Sequence, residues 1–193
     1  MQVVDLEGLA AHRGSLLGGM ADPQPAQKAF ETALATRLNA LDPARPVLVE
    51  AESSKIGERI LPPVLWEAMK AAPRIEVTAP VSARAEYLAR AYDDILSDPA
   101  RLSEKLNVLR AHRGNEVVDG WMAMIAQGDR VALTRALAEQ HYDPSYNKSR
   151  RATGHEPRVR IAASALNSSD LQTAADQIEI AVDQLSSSDK TPA

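Results

Sequence analysis

The chain opens on a short apolar run that turns acidic, Gln2-Val3-Val4-Asp5-Leu6-Glu7, with Gly8 behind it. A run of that length without helical periodicity predicts a buried strand whose carboxyl end feeds a loop. Glycine and proline then crowd the chain at Gly14, Gly18, Gly19, Pro23 and Pro25, after which Phe30, Leu34, Leu38 and Leu41 recur at helical spacing. The pattern predicts a loop and then an amphipathic helix over 26–41, ended by Asp42-Pro43. From Pro46 to Ser53 the opening pattern returns, apolar at Val47-Leu48-Val49 and acidic at Glu50 and Glu52, so a second buried strand is predicted. Ile56-Gly57-Glu58-Arg59 reads as a turn.

Pro62-Pro63 suits the first turn of a short helix, which Pro73 ends, and Arg74 to Thr78 is a third strand. Ser82 is placed to cap the next helix, whose Leu88, Ala91, Tyr92 and Ile95 share a face. From about 100 to 140 the chain reads as helix, interrupted at Gly114, Gly120 and Gly128. Arg158 to Ala163 is a late strand and 170–185 a last helix, leaving 186–193 as a polar tail expected to be disordered. Strands alternating with helices predict an α/β fold whose parallel sheet carries helices on both faces, because right-handed crossovers place them there. Ligands of such sheets bind beyond the carboxyl ends of the strands, where Asp5, Glu7, Glu50, Glu52 and Thr78 fall.

Composition narrows the class. At 193 residues the chain is the size of one domain, and 45% hydrophobic with 25% charged residues is a globular balance that excludes a disordered or collagen-like chain. No run reaches the roughly 18 apolar residues of a membrane span, and Asp5 and Glu7 stand where a signal peptide carries positive charge. A cytoplasmic protein that meets no membrane is expected. The absence of cysteine removes disulfides, thiolate metal sites and any cysteine nucleophile from this chain. A net charge of -4 gives no global nucleic-acid signature, so such a contact requires a local basic patch.

Three stretches carry candidate chemistry. His12-Arg13-Gly14-Ser15, beyond the first strand, offers a guanidinium fork, a hydroxyl and a backbone that can approach an anion, although the same types also make a solvated polar loop. Glu50 and Glu52 share a face at a strand end, where a P-loop protein holds its metal-orienting acid and where acids are also commonly just solvated. Arg59 and Arg84 are candidates for substrate contact nearby. Lys148, Arg150, Arg151, Arg158 and Arg160 make the one local excess of positive charge, opposed by Glu156 and close to His155, Tyr142 and Tyr146. Phosphate backbones are bound by such a patch, and aromatics stack on unpaired bases. Trp66 and Trp121 read as core anchors, and no metal site is expected.

Taken together, four stretches are similar, in order and spacing, to the C-terminal half of the bacterial tRNA 2-selenouridine synthase family. They are Val4-Asp5-Leu6-Glu7-Gly8-Leu9-Ala10-Ala11-His12-Arg13-Gly14-Ser15, Pro25-Ala26-Gln27-Lys28-Ala29-Phe30-Glu31, Val49-Glu50-Ala51-Glu52-Ser53 with Ile56-Gly57, and His141-Tyr142-Asp143-Pro144-Ser145-Tyr146. The resemblance runs to about Ala163. It implies a transferase that acts on the wobble uridine of tRNA, replacing the sulfur of 2-thiouridine with selenium from selenophosphate through an intermediate geranylated from geranyl diphosphate. It also implies an N-terminal rhodanese-like domain with a catalytic Cys, followed by a P-loop strand and its Gly-rich loop. This chain has no Cys and no Gly-x-x-x-x-Gly-Lys-Ser/Thr.

The expectation is therefore a truncated P-loop-NTPase-like α/β domain over 1–185, its parallel sheet lacking the P-loop strand, with a helical insert at about 100–140. The chain should bind no cofactor of its own, partner the missing N-terminal portion and tRNA, and lack turnover alone. His12, Arg13, Gly14, Ser15, Glu50, Glu52, Arg59 and Arg84 would face phosphate or substrate, and the basic residues at 148–160 would face tRNA. Two other readings remain open at this point: a non-catalytic RNA- or partner-binding remnant, and a P-loop nucleotide kinase-like protein, against which the absent phosphate loop weighs.

Overall fold

The computed structural model describes residues 1–147 and 156–188. They pack as two compact units, one formed by residues 1–74 and 178–188, the other by residues 75–147 and 156–177.

In the first unit, strand β1 (Gln2–Val4) leads directly into a short helix α1 (Leu6–Ala10). The predicted strand thus stops early. Asp5 is the reason: its carboxylate accepts the Gly8 N–H at 2.6 Å, an N-cap that turns the chain out of extended geometry. Helix α2 (Gln27–Asn39) follows, and strand β2 (Val47–Val49) returns to lie parallel to β1, with Val3 opposite Leu48. A parallel pair needs such a crossover, which α1 and α2 supply. The predicted turn at Ile56–Arg59 is the tip of a small antiparallel hairpin, β3 (Lys55–Ile56) and β4 (Arg59–Ile60), with Gly57 at φ +58°. Helix α3 (Pro63–Ala71) starts at its proline as predicted. Val4, Leu6, Ala10, Phe30, Leu34, Ile56 and Leu61 form the core, with Leu41, Val49, Trp66 and Met69 packed against it. Leu38, on the predicted apolar stripe, is 36% exposed, so the buried face of α2 is Phe30 and Leu34.

The second unit begins with β5 (Ile75–Thr78), paired in parallel with β6 (Val159–Ala162). Between them lie helices α4 (Val81–Ala91), α5 (Asp93–Leu96), α6 (Pro99–Asn107), α7 (Arg110–Arg113), α8 (Asn115–Gln127) and α9 (Arg130–Leu137). Helix α9 widens into one π-helical segment, Ala138–Tyr142. Ser82 does not cap α4. Pro80 holds the N-cap position without a side-chain bond, because its ring presets the backbone and the helix starts at Val81. Trp121, Leu102, Leu106, Val118, Leu133 and Leu137 are buried here, and the hydroxyl of buried Thr134 bonds the Ala85 carbonyl at 2.8 Å to tie α9 to α4. Helix α10 (Ser168–Ser188) runs past the predicted end at 185.

The α/β class holds, and strands sit at all four predicted places. The expected single parallel sheet is replaced, among the described residues, by separate two-stranded pairs. Each of these strands finds one hydrogen-bonded neighbour among the described residues, so neither parallel pair extends into a wider sheet there. No helix among the described residues is long and apolar enough to cross a membrane.

Candidate functional site

In the first unit, the end of β1, the end of β2 and the loop after α1 converge. Glu50 accepts the backbone N–H of Leu6 at 3.0 Å and of Glu7 at 3.4 Å. Its carboxylate therefore closes the start of α1 together with Asp5, satisfying donors that have no partner within the helix. Glu52, one strand repeat further, lies against Gly14: a Cβ on Gly14 would come within 2.5 Å of the Glu52 carboxylate, and the glycine holds φ +66°. Only glycine allows that approach without strain.

The His12–Ser15 loop is folded on itself. The His12 N–H reaches the Glu7 carbonyl, Arg13 N–H reaches Gly18 O at 2.8 Å, and Gly18 N–H reaches Ser15 O at 2.8 Å. Gly14 N–H donates to His12 Nδ1 at 3.1 Å, which places a His12 proton on Nε2 when the ring is neutral. Gln24, not singled out by the sequence, ties the loop to the hairpin. Its amide donates to the carbonyls of Ala10 and Ile56, and its carbonyl accepts the Glu58 N–H. Ser15 Oγ and Arg59 Nε are buried atoms without a hydrogen-bond partner among the described residues. These two sequence candidates thus keep bonding capacity in reserve.

Glu7 and Glu52 form a carboxyl–carboxylate pair. Burial raises Glu7 from 4.5 to about 7, the charge of Glu52 and the hydrogen bond donated to it add to the rise, and Arg13 opposes it. Burial raises Glu52 as well, while the bond from Glu7 favours its charged form, so the shared proton sits on Glu7. Glu50 is also raised by burial, against the two backbone donors that favour its charge. A carboxyl group titrating near neutrality beside an arginine can give or take a proton.

This pair has a measurable stability signature. Between about 4.5 and 7 the folded state keeps a proton on Glu7 that the unfolded chain has lost, so stability from this group is full below about pH 4.5 and falls as pH rises toward 7. Glu7 is only half-buried, and water screening holds the loss to roughly 1–2 kcal/mol. Glu7→Gln, which can still donate to Glu52 but cannot ionise, should remove that fall. Urea unfolding of both proteins at pH 5 and pH 8 checks it, and equal changes in the two proteins would remove Glu7 from the account.

Arg84, grouped with these residues by sequence, belongs to the second unit. Its Nη1 and Nη2 each donate to Asp143 at 2.7 Å, so its fork is already occupied by a carboxylate. Lys148, Arg150 and Arg151 lie outside the described residues. Arg158 is exposed, whereas Arg160 meets Glu76 at 3.0 Å and Glu156 at 2.8 Å, which neutralises much of what it could offer a phosphate. Among the described residues no group of three or more acids or histidines is arranged to hold a metal. Trp121 is a core anchor, and Trp66 is half-buried with Lys70 over its ring.

Residues 1–112, which include these acidic strand ends and the polar loop, match the family model described as the tRNA 2-selenouridine synthase AAA domain. Curated relatives named tRNA 2-selenouridine synthase agree. That of Hahella chejuensis is 34% identical over 74% of this chain and 45% of its own, and that of Alcanivorax borkumensis 31% identical over 77% and 49%. A shorter match to Cupriavidus pinatubonensis is 46% identical over 46% of this chain and 25% of that protein. The chain belongs to the tRNA 2-selenouridine synthase family. It spans less than half the length of each of these relatives. No solved structure matches it.

Proposed function

We propose that this chain is the tRNA-engaging part of a cytoplasmic transferase that exchanges sulfur for selenium in wobble 2-thiouridine through a geranylated intermediate. The observation that carries the reading is the coincidence of the family match with the folded site: residues 1–112 contain the His12–Ser15 loop, Glu7, Glu50, Glu52 and Arg59. In this reading Arg13, Ser15 and Arg59 meet the phosphate of selenophosphate or of geranyl diphosphate. The Glu7–Glu52 pair handles a proton, and Glu50 keeps the loop in place by closing α1. Arg84 supports its own unit through Asp143. The basic residues from Lys148 to Arg158 meet tRNA phosphates. The parallel β1–β2 pair, with acids at both carboxyl ends, supports a P-loop-like sheet completed by an N-terminal strand.

Turnover is not expected from this chain alone, since it has neither a thiolate to carry sulfur or selenium nor a Gly-rich Lys loop to hold a nucleotide. That same observation favours a second reading, an RNA-binding remnant without catalysis. Gel-shift titration with a tRNA transcript, an equally long DNA duplex as competitor and a phosphotransfer assay with ATP test both against the kinase-like reading. RNA binding that the duplex competes poorly, with no phosphotransfer, is expected. Phosphotransfer, or binding of neither nucleic acid, would contradict the proposal.

A further inference from the structure

Tyr142 and Tyr146 precede the basic stretch in the sequence, and the site above uses neither. The structure separates them. Tyr142 ends the π-helical segment, half-buried, with its ring edge-on to that of His141 and the ring centres 4.9 Å apart. Tyr146 lies one turn further on, where the chain stays helical to residue 147. Its side chain is 56% exposed, which makes it the most exposed aromatic among the described residues.

One exposed aromatic side chain is ordinary on a protein surface, but the setting of Tyr146 is not. The turn that carries it is pinned to the rest of its unit. Asp143 takes both Nη groups of Arg84 at 2.7 Å. Ser145 Oγ donates to the His141 carbonyl at 2.7 Å and accepts from Arg113 Nη2, while Arg113 Nε holds His141 Nδ1 at 3.0 Å. A ring on so fixed a backbone has only two side-chain torsions to settle, so holding it against a flat partner costs little freedom. Beyond it in the sequence, Lys148, Arg150 and Arg151 follow by two, four and five residues, lengths of chain that span at most roughly 7–18 Å. Unpaired nucleic acid offers phosphates and flat bases in alternation, and proteins that bind it set aromatic faces beside cations.

We propose that Tyr146 is a stacking platform for an unpaired base of the RNA, an inference that rests on the tRNA reading above. The ring face supplies the contact and the phenol hydroxyl is dispensable. Tyr142, held against His141, does not share this role. The platform adds affinity for looped RNA without adding charge, so its contribution is separable from that of the neighbouring cations.

The test titrates a labelled anticodon stem-loop RNA and an RNA duplex of equal length with the parent chain, Tyr146→Ala, Tyr146→Phe and Arg150→Ala/Arg151→Ala, by fluorescence anisotropy at several salt concentrations. The side chain is exposed, so the Tyr146 variants should melt as the parent does. Tyr146→Ala should weaken stem-loop binding by roughly tenfold at every salt concentration, leaving the slope of log affinity against log salt unchanged, because a stacked base releases no condensed counterions. Duplex binding should hardly change, and Tyr146→Phe, which keeps the ring face, should stay within about twofold of the parent. A Tyr146→Ala variant that binds the stem-loop as the parent does, that loses stem-loop and duplex alike, or that flattens the slope would overturn the platform, as would a Tyr146→Phe loss equal to that of Tyr146→Ala. If Arg150→Ala/Arg151→Ala still weakens binding in that series, the tRNA reading survives the failure. If the parent chain binds neither RNA, both fall.

Discussion

Trp121→Ala is expected to destabilise the helical unit by about 3–5 kcal/mol, the usual cost of emptying a site filled by a large aromatic side chain. Trp121 is fully buried, its indole N–H donates to Gln140 at 2.8 Å, and its ring packs edge-on against His141. The substitution removes all three at once. Trp121→Phe keeps most of the packing and loses the hydrogen bond, so about 1–2 kcal/mol should be lost. Urea unfolding followed by circular dichroism measures both. Trp66 belongs to the other unit and is the only other tryptophan, so in Trp121 variants its fluorescence reports the first unit separately. A loss below about 1 kcal/mol for Trp121→Ala would mean that this residue does not organise the core of its unit.

What could be read in the sequence was what local pattern controls. Val47-Leu48-Val49 and Ile75-Glu76-Val77-Thr78 are strands because short apolar or β-branched runs between turn signals have few other uses, and Phe30 and Leu34 face the core because their spacing puts them on one side of a helix. The start of α1 was legible in principle. Asp5 three residues before Gly8 is an N-cap signal, but the apolar residues on either side of it favoured one continuous strand. The breadth of the sheet was not legible, because strand pairing depends on which other segments supply edges. The π-turn at Ala138–Tyr142 leaves the apolar periodicity of α9 almost unchanged and so gives no pattern to detect.

The candidate site divides the same way. The strand-end acids and the His12–Ser15 loop were visible as residue types at a functional edge, but the division of labour between Glu50, which closes α1, and Glu52, which shares a proton with Glu7, is set by distances across the fold. Asp143 lies 59 residues from Arg84 and was not linked to it by sequence, and Arg113 and His141 gave no signal of their contact. The carboxylate opposite Arg160 from Glu156 was visible in the charge pattern, and the second, from Glu76 on the neighbouring strand, was not.

The central claim is that this otherwise acidic chain engages tRNA through its one basic stretch, and the salt dependence of tRNA affinity for the parent chain and for Arg150→Ala/Arg151→Ala tests it most directly. Every phosphate neutralised releases condensed counterions, so the slope of log affinity against log salt counts the contacts. Arg160 is neutralised by two carboxylates, so much of the proposed interaction is placed on Arg150 and Arg151 with their neighbours Lys148 and Arg158. Removing two such contacts should flatten the slope by roughly 1–2 units and weaken binding about ten- to hundredfold at low salt. Preference for the anticodon loop should change little, because phosphate contacts position the RNA without reading its bases. An affinity and slope that match the parent chain would contradict the account.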